Sequence, residues 1–166
     1  MGELELFEDV SNPLDSVEDM LRSQDWAFTR TQEEELTVDV TGKRGQYKMT
    51  FIWQEEFNAM QFFCEFDFTI AEERRETTNK VLRAINEDLW LGHFDVPKTT
   101  NAPSFRHTSL FRGWTQTSGA EHVEDLVDIA IAESDRFQRV FRMLANKDKM
   151  DDSLISFIMS DSAGEA

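Results

Sequence analysis

The chain has 166 residues, 40% hydrophobic and 11% aromatic, with 14 Phe and 4 Trp, which is too apolar for intrinsic disorder and long enough to bury a core without a disulfide or metal staple. Its 7 Gly and 3 Pro argue against low-complexity and fibrous classes. The 33 acidic residues against 17 Lys and Arg give a net charge of −16 with no basic run, so nucleic acid and anionic membranes are poor partners and basic or neutral protein segments are favoured.

Residues 1–11 read as an acidic tail, without the basic start of a signal peptide. Asn12-Pro13 marks a helix start: Asn caps through its side chain and Pro is tolerated at the first helical position. Leu14, Val17 and Leu21 then recur at helical spacing, which predicts a helix over 13–23. From residue 25 to 70 the period is two. Leu36, Val38 and Val40 form one inward set, and Tyr47, Met49, Phe51 and Trp53 a second. Met60, Phe62, Cys64, Phe66, Phe68 and Ile70 form a third. Gly42-Lys43-Arg44-Gly45 and Glu55-Glu56 are the turns between them. These are antiparallel strands with a wet polar face and an aromatic face that meets helices.

After Ala71 the period returns to helical, with Thr78, Leu82, Ile85 and Leu89 on one stripe and Gly92 as a stop. Phe94-Asp95-Val96 and Phe105–Arg112 are extended pieces that pair as a hairpin across a loop rich in Thr, Asn and Pro. The last helix spans 120–146. Val123, Val127, Ala130, Ser134, Phe137, Phe141 and Leu144 give it a broad buried stripe, with a dimer seam as the alternative to a core. The expected division is a tail at 1–11, a single domain at 12–149 and a tail at 150–166 that carries Leu154, Ile155, Phe157, Ile158 and Met159. No apolar run approaches the ~20 residues of a membrane helix. Cys64 is the single cysteine, which fits a reducing compartment. The expected localisation is cytoplasmic.

Catalytic motifs are missing. There is no phosphate-binding Gly loop, no Gly-x-Ser-x-Gly, no Cys-x-x-Cys and no His-Glu-x-x-His. Cys64 takes an inward strand position, where a thiol is an inert small hydrophobe. One polar cluster stands out. A hairpin centred near Asn101 sets Asp95 opposite His107, with His93 on the same face, and two imidazoles with a carboxylate could bind a divalent metal. No fourth ligand is indicated, so a His–carboxylate hydrogen bond is the plainer expectation and neither metal nor cofactor is expected. Arg106 and Arg112 lie at even spacing and could anchor a carboxylate or an acidic segment.

The pattern as a whole resembles the YbjN family, sometimes labelled bacterial sensory transduction regulators. The resemblance rests on Asn12-Pro13-Leu14, Trp26, Phe51-Ile52-Trp53 and Gln61-Phe62-Phe63-Cys64-Glu65-Phe66-Asp67. Most distinctive is Asn86-Glu87-Asp88-Leu89-Trp90-Leu91-Gly92-His93-Phe94-Asp95, followed by Phe105-Arg106-His107, Arg112-Gly113 and Glu124-Asp125-Leu126. The resemblance implies an α+β fold like that of type III secretion chaperones, an antiparallel sheet packed by helices on one face. Chaperones of that fold are small acidic dimers that bind extended segments of other proteins. It supplies no catalytic residue.

The expected function is a non-enzymatic, chaperone-like or regulatory protein-interaction module. Its candidate surface is Trp90, His93, Asp95, Arg106, His107 and Arg112, Trp and Arg being the residue types that concentrate binding energy at interfaces. The alternatives are a small-ligand binder or enzyme using His93, Asp95 and His107, and a structural homodimer subunit.

Overall fold

A computed structural model describes residues 12–112 and 116–146, together with Ser156. The expected tails at 1–11 and 150–166 lie outside the described residues, Ser156 apart. Helix α1 (Leu14–Ser23) starts as the sequence predicts, with the Leu14 N–H donating to Asn12 Oδ1 at 3.0 Å. It buries Leu14, Val17 and Leu21. Arg30 holds it to the sheet through Asp15 at 2.7 Å and Glu18 at 3.1 Å.

Six antiparallel strands follow: β1 (Phe28–Gln32), β2 (Glu35–Thr41), β3 (Gln46–Gln54), β4 (Ala59–Phe66), β5 (His93–Asp95) and β6 (Ser104–Leu110). Their spatial order is β1-β2-β3-β4-β6-β5. Helix α2 (Arg75–Asp88) connects β4 to β5, and α3 (Gln116–Ala145) closes the chain of described elements. The fold is α+β.

The alternation of side chains along each strand divides the sheet as expected. Val38, Met49, Phe62, Cys64 and Phe105 point into a core shared with α1, α2 and α3. Thr37, Lys48, Thr50, Phe63, Glu65 and Arg106 lie on the other face, exposed or half-buried. The α3 stripe from Val123 to Leu144 is buried at all seven predicted positions. Its Phe137 and Phe141 meet Phe94 at 5.7 and 5.3 Å between ring centroids, and Phe141 meets Phe66 at 5.2 Å.

α3 also carries a polar network that fixes the β2–β3 hairpin. The buried Asp135 accepts from the N–H groups of Lys43 (2.8 Å) and Arg44 (3.1 Å) and from the Tyr47 hydroxyl (2.6 Å). Burial, and then the bond to Asp135, raise the Tyr47 phenol above its ordinary range. The two turn glycines serve close approach here. A Cβ on Gly42 would lie 2.7 Å from Asp135 Oδ1, and one on Gly45 would lie 2.7 Å from Gln138.

Three element boundaries differ most from expectation, and the hairpin strands also start one residue early, at His93 and Ser104 rather than Phe94 and Phe105. β4 ends at Phe66, although Phe68 and Ile70 continue the alternation: β3 begins at Gln46, one residue beyond the Tyr47–Phe66 pair, and offers Phe68 and Ile70 no partner. The chain there turns to receive the 97–103 loop instead: Phe66 N–H donates to Pro103 O and Ile70 N–H to Asn101 O. α2 stops at Asp88 rather than near Gly92. Gly92 takes φ +68, and a Cβ there would sit 2.4 Å from the Phe105 ring, so both backbone and packing require glycine. α3 begins at Gln116, ahead of the expected 120, because Gly119 lies inside the helix against Phe111 rather than breaking it.

Candidate functional site

The β5–β6 hairpin pairs His93 with Arg106, Phe94 with Phe105 and Asp95 with Ser104. It therefore pivots between Thr99 and Thr100, not at Asn101. The offset from the expected register is odd, and an odd offset moves a side chain to the opposite face. His93, Asp95 and Arg106 share the open face. His107 points inward and never meets Asp95 across the hairpin. The expected His93/Asp95/His107 cluster is thus divided by the sheet. Among the described residues, no group of three or more His, Cys, Asp or Glu is placed to hold a metal ion.

On the open face, Arg106 pairs with Asp95 at 3.1 Å and lies over the Phe63 ring at 5.2 Å. Lys48, Thr50, Phe63 and Glu65 floor a groove of about 400 Å³, and Pro97 and Thr100 of the loop overhang it. Asn101 at φ +56 shapes that loop, and Arg75 anchors it by bonding Asn101 Oδ1 at 2.6 Å.

The outer rim of β5 is closed. The Asn86 side chain donates to Phe94 O (3.0 Å) and accepts from Phe94 N–H (2.8 Å), so an amide from α2 stands where a further strand would pair. Strand addition by a partner at this hairpin is thereby opposed.

Inside, β6 brings His107 and Ser109 to the first turns of α3. Ser109 Oγ and His122 Nε2 are 2.6 Å apart, and the rings of His107 and His122 are 6.3 Å apart between centroids. The sequence reading missed this pair because its partners lie 13 positions apart on different elements. The inward parity of Phe105, His107 and Ser109 was the available signal. A serine bonded to an imidazole has the arrangement of an activated nucleophile. Ser109 is only 5% exposed, however, and its bond equally satisfies a buried hydroxyl.

Burial lowers the pKa of both imidazoles below 6.5; His93 adds to the shift at His107, and His107 adds at His122, where Asp125 opposes it. Between those lowered values and 6.5 the unfolded chain binds more protons than the folded one, so stability falls as pH drops through that window. Both ring-proton NMR titrations are expected to show midpoints below 6.5, with the melting temperature falling as the rings charge. A midpoint at or above 6.5 for either ring contradicts this.

Cys64 is fully buried, and burial pushes its thiol up to about 12, which suits the inert role expected of it. Arg112 is exposed in the turn that follows β6. Trp90, in the loop after α2, is 77% exposed. It lines a groove of about 370 Å³ with Leu91 and with His122, Leu126 and Ile129 of α3. The six candidate residues thus fall into an open-face group (His93, Asp95, Arg106), an inward ring (His107), an exposed turn residue (Arg112) and an exposed indole beside α3 (Trp90).

The YbjN family model, described as "Putative bacterial sensory transduction regulator", matches residues 13–143. The solved structures include a similar one, described as "Crystal structure of YbjN, a putative transcription regulator from E. coli". It is 16% identical, with a TM-score of 0.51, over 78% of this chain and 95% of that one. No match is found among curated proteins.

Proposed function

This chain belongs to the YbjN family, and from that premise we propose that it is a non-enzymatic regulatory module acting by binding another protein at the surface around Trp90. The observation that carries this is the exposed indole. Trp is on average highly buried in folded proteins and is enriched at the energetic centres of interfaces, yet Trp90 stands 77% exposed at the edge of an open groove. The description of the similar E. coli protein as a transcription regulator raises the question of direct DNA contact. A net charge of −16 without a basic tract repels phosphates. A regulatory effect is therefore better assigned to contact with a protein.

Trp90→Ala and Arg106→Ala test the reading. Both side chains are at least partly exposed, so both variants are expected to keep the wild-type circular dichroism and melting temperature. Trp90→Ala is expected to lose a protein that the wild type retains from native extract at low salt, and Arg106→Ala, whose side chain lies on the open sheet face away from the Trp90 groove, to keep it. An unchanged set of retained proteins for Trp90→Ala overturns the assignment. The rival reading, a small-ligand site or enzyme, has the Ser109–His122 pair in its favour. Turnover of a small molecule by the purified protein, abolished by His122→Ala, would establish it. A structural homodimer would instead show twice the chain mass in sedimentation, with Trp90 protected.

A further inference from the structure

Around Trp90, two stripes run side by side along α3. His122, Leu126 and Ile129 are spaced four and three apart, and they form the apolar wall of the groove opposite Trp90 and Leu91. Glu121, Asp125 and Asp128, also spaced four and three apart, run next to them, all exposed. Asp125 and Asp128 line the groove itself. Among the described residues, no Lys or Arg lines it. None of the ion pairs among the described residues involves Asp125 or Asp128. Just before Trp90 in the chain, α2 ends in the exposed Glu87 and Asp88, of which Glu87 faces Arg83 at 3.6 Å. The result is an apolar slot with an acidic rim and an indole at its mouth.

We propose that this groove binds a basic amphipathic segment of a partner protein, its aliphatic side chains packed between Trp90 and the half-buried Leu91 and Ile129 and its Lys or Arg side chains on Asp125 and Asp128. This rests on the protein-binding reading above and adds the chemistry of the partner. Charge decides among occupants. The chain's own residues 1–11 carry four acids and no base, and residues 147–166 carry five acids and two lysines. Both would meet the acidic rim with like charge. A second copy of the groove would do the same, and so would an anionic membrane. A basic segment gains long-range attraction from a field of −16 and short-range pairing with unpaired carboxylates at the rim. The apolar floor supplies the desolvated centre that such rim contacts surround.

The test uses the full chain and two fluorescent 14-residue peptides, one of leucine and lysine in helical amphipathic order, the other with glutamine in place of lysine. Fluorescence anisotropy reports binding, and the part of the tryptophan emission change that Trp90→Ala removes reports contact at Trp90. The basic peptide is expected to bind at 50 mM salt and to weaken on the order of tenfold by 500 mM, as screening shortens the reach of rim charges. Trp90→Ala is expected to weaken it tenfold or more, on the order of an interface anchor. Asp125→Asn with Asp128→Asn is expected to weaken it about fivefold and to flatten the salt dependence. A control with the same charge change away from both grooves, Asp39→Asn with Asp67→Asn, both exposed, is expected to bind as the wild type does. Equal loss in that control overturns the proposal, because net charge rather than the groove would then attract the peptide. Binding of the glutamine peptide with equal strength, sensitive to Trp90→Ala alone, overturns the basic partner and leaves the protein-binding reading in place. Loss of neither peptide on Trp90→Ala overturns both.

Discussion

Asp135→Ala is expected to destabilise the protein by about 2–4 kcal/mol, the range for stranding buried hydrogen-bond donors at a single acceptor. The carboxylate holds two turn amides and the Tyr47 hydroxyl at once. The Tyr47 hydroxyl keeps a neighbour in Gln138 at 3.2 Å, and the turn amides can reach water, which is why the expected loss stays below the sum of three separate bonds. Urea denaturation measures it. Gly42→Ala should lower stability as well, since its Cβ meets both Asp135 and Tyr47 under 3 Å. The two changes should be less than additive, because removing the carboxylate relieves half of the clash. Wild-type stability in Asp135→Ala would show that the hairpin turn does not depend on α3.

Phe94→Ala is expected to cost more, about 3–5 kcal/mol, as for other fully buried Phe truncations. Phe94 is 1% exposed, and its ring meets those of Phe66, Phe105, Phe137 and Phe141 within 6.2 Å. It joins the edge hairpin to α3, and the rigid aromatic neighbours cannot collapse to fill the void. Urea denaturation with hydrogen exchange should show the loss of stability and early opening of β5 and β6. A loss under about 1 kcal/mol would mean that the hairpin repacks without this ring. The same burial settles the α3 stripe. Phe137 and Phe141 pack on the sheet within one chain, so the stripe is core and not an open seam between copies.

Most of the fold could be read from residue order. Period two from Leu36 to Phe66 and period 3.6 along α3 encode which side chains face the core, because burial of one face is what each element gains by forming. Asn12, Gly42 and Gly45 marked a helix start and a turn correctly. The sequence also carried the family, through the stretch from Asn86 to Asp95. Register and neighbourhood were decided by tertiary structure. The β5–β6 pairing depends on how the 97–103 loop is held by Ile70, Arg75 and the left-handed Asn101, contacts from distant elements that no local period records. That odd offset in register sent His107 inward and dissolved the expected His93/Asp95/His107 cluster. Trp90 shows the same division. Its type and its place after α2 were plain in the sequence. Its exposure, and the α3 wall with an acidic stripe opposite it, exist only because α3 packs back across the sheet beside the end of α2.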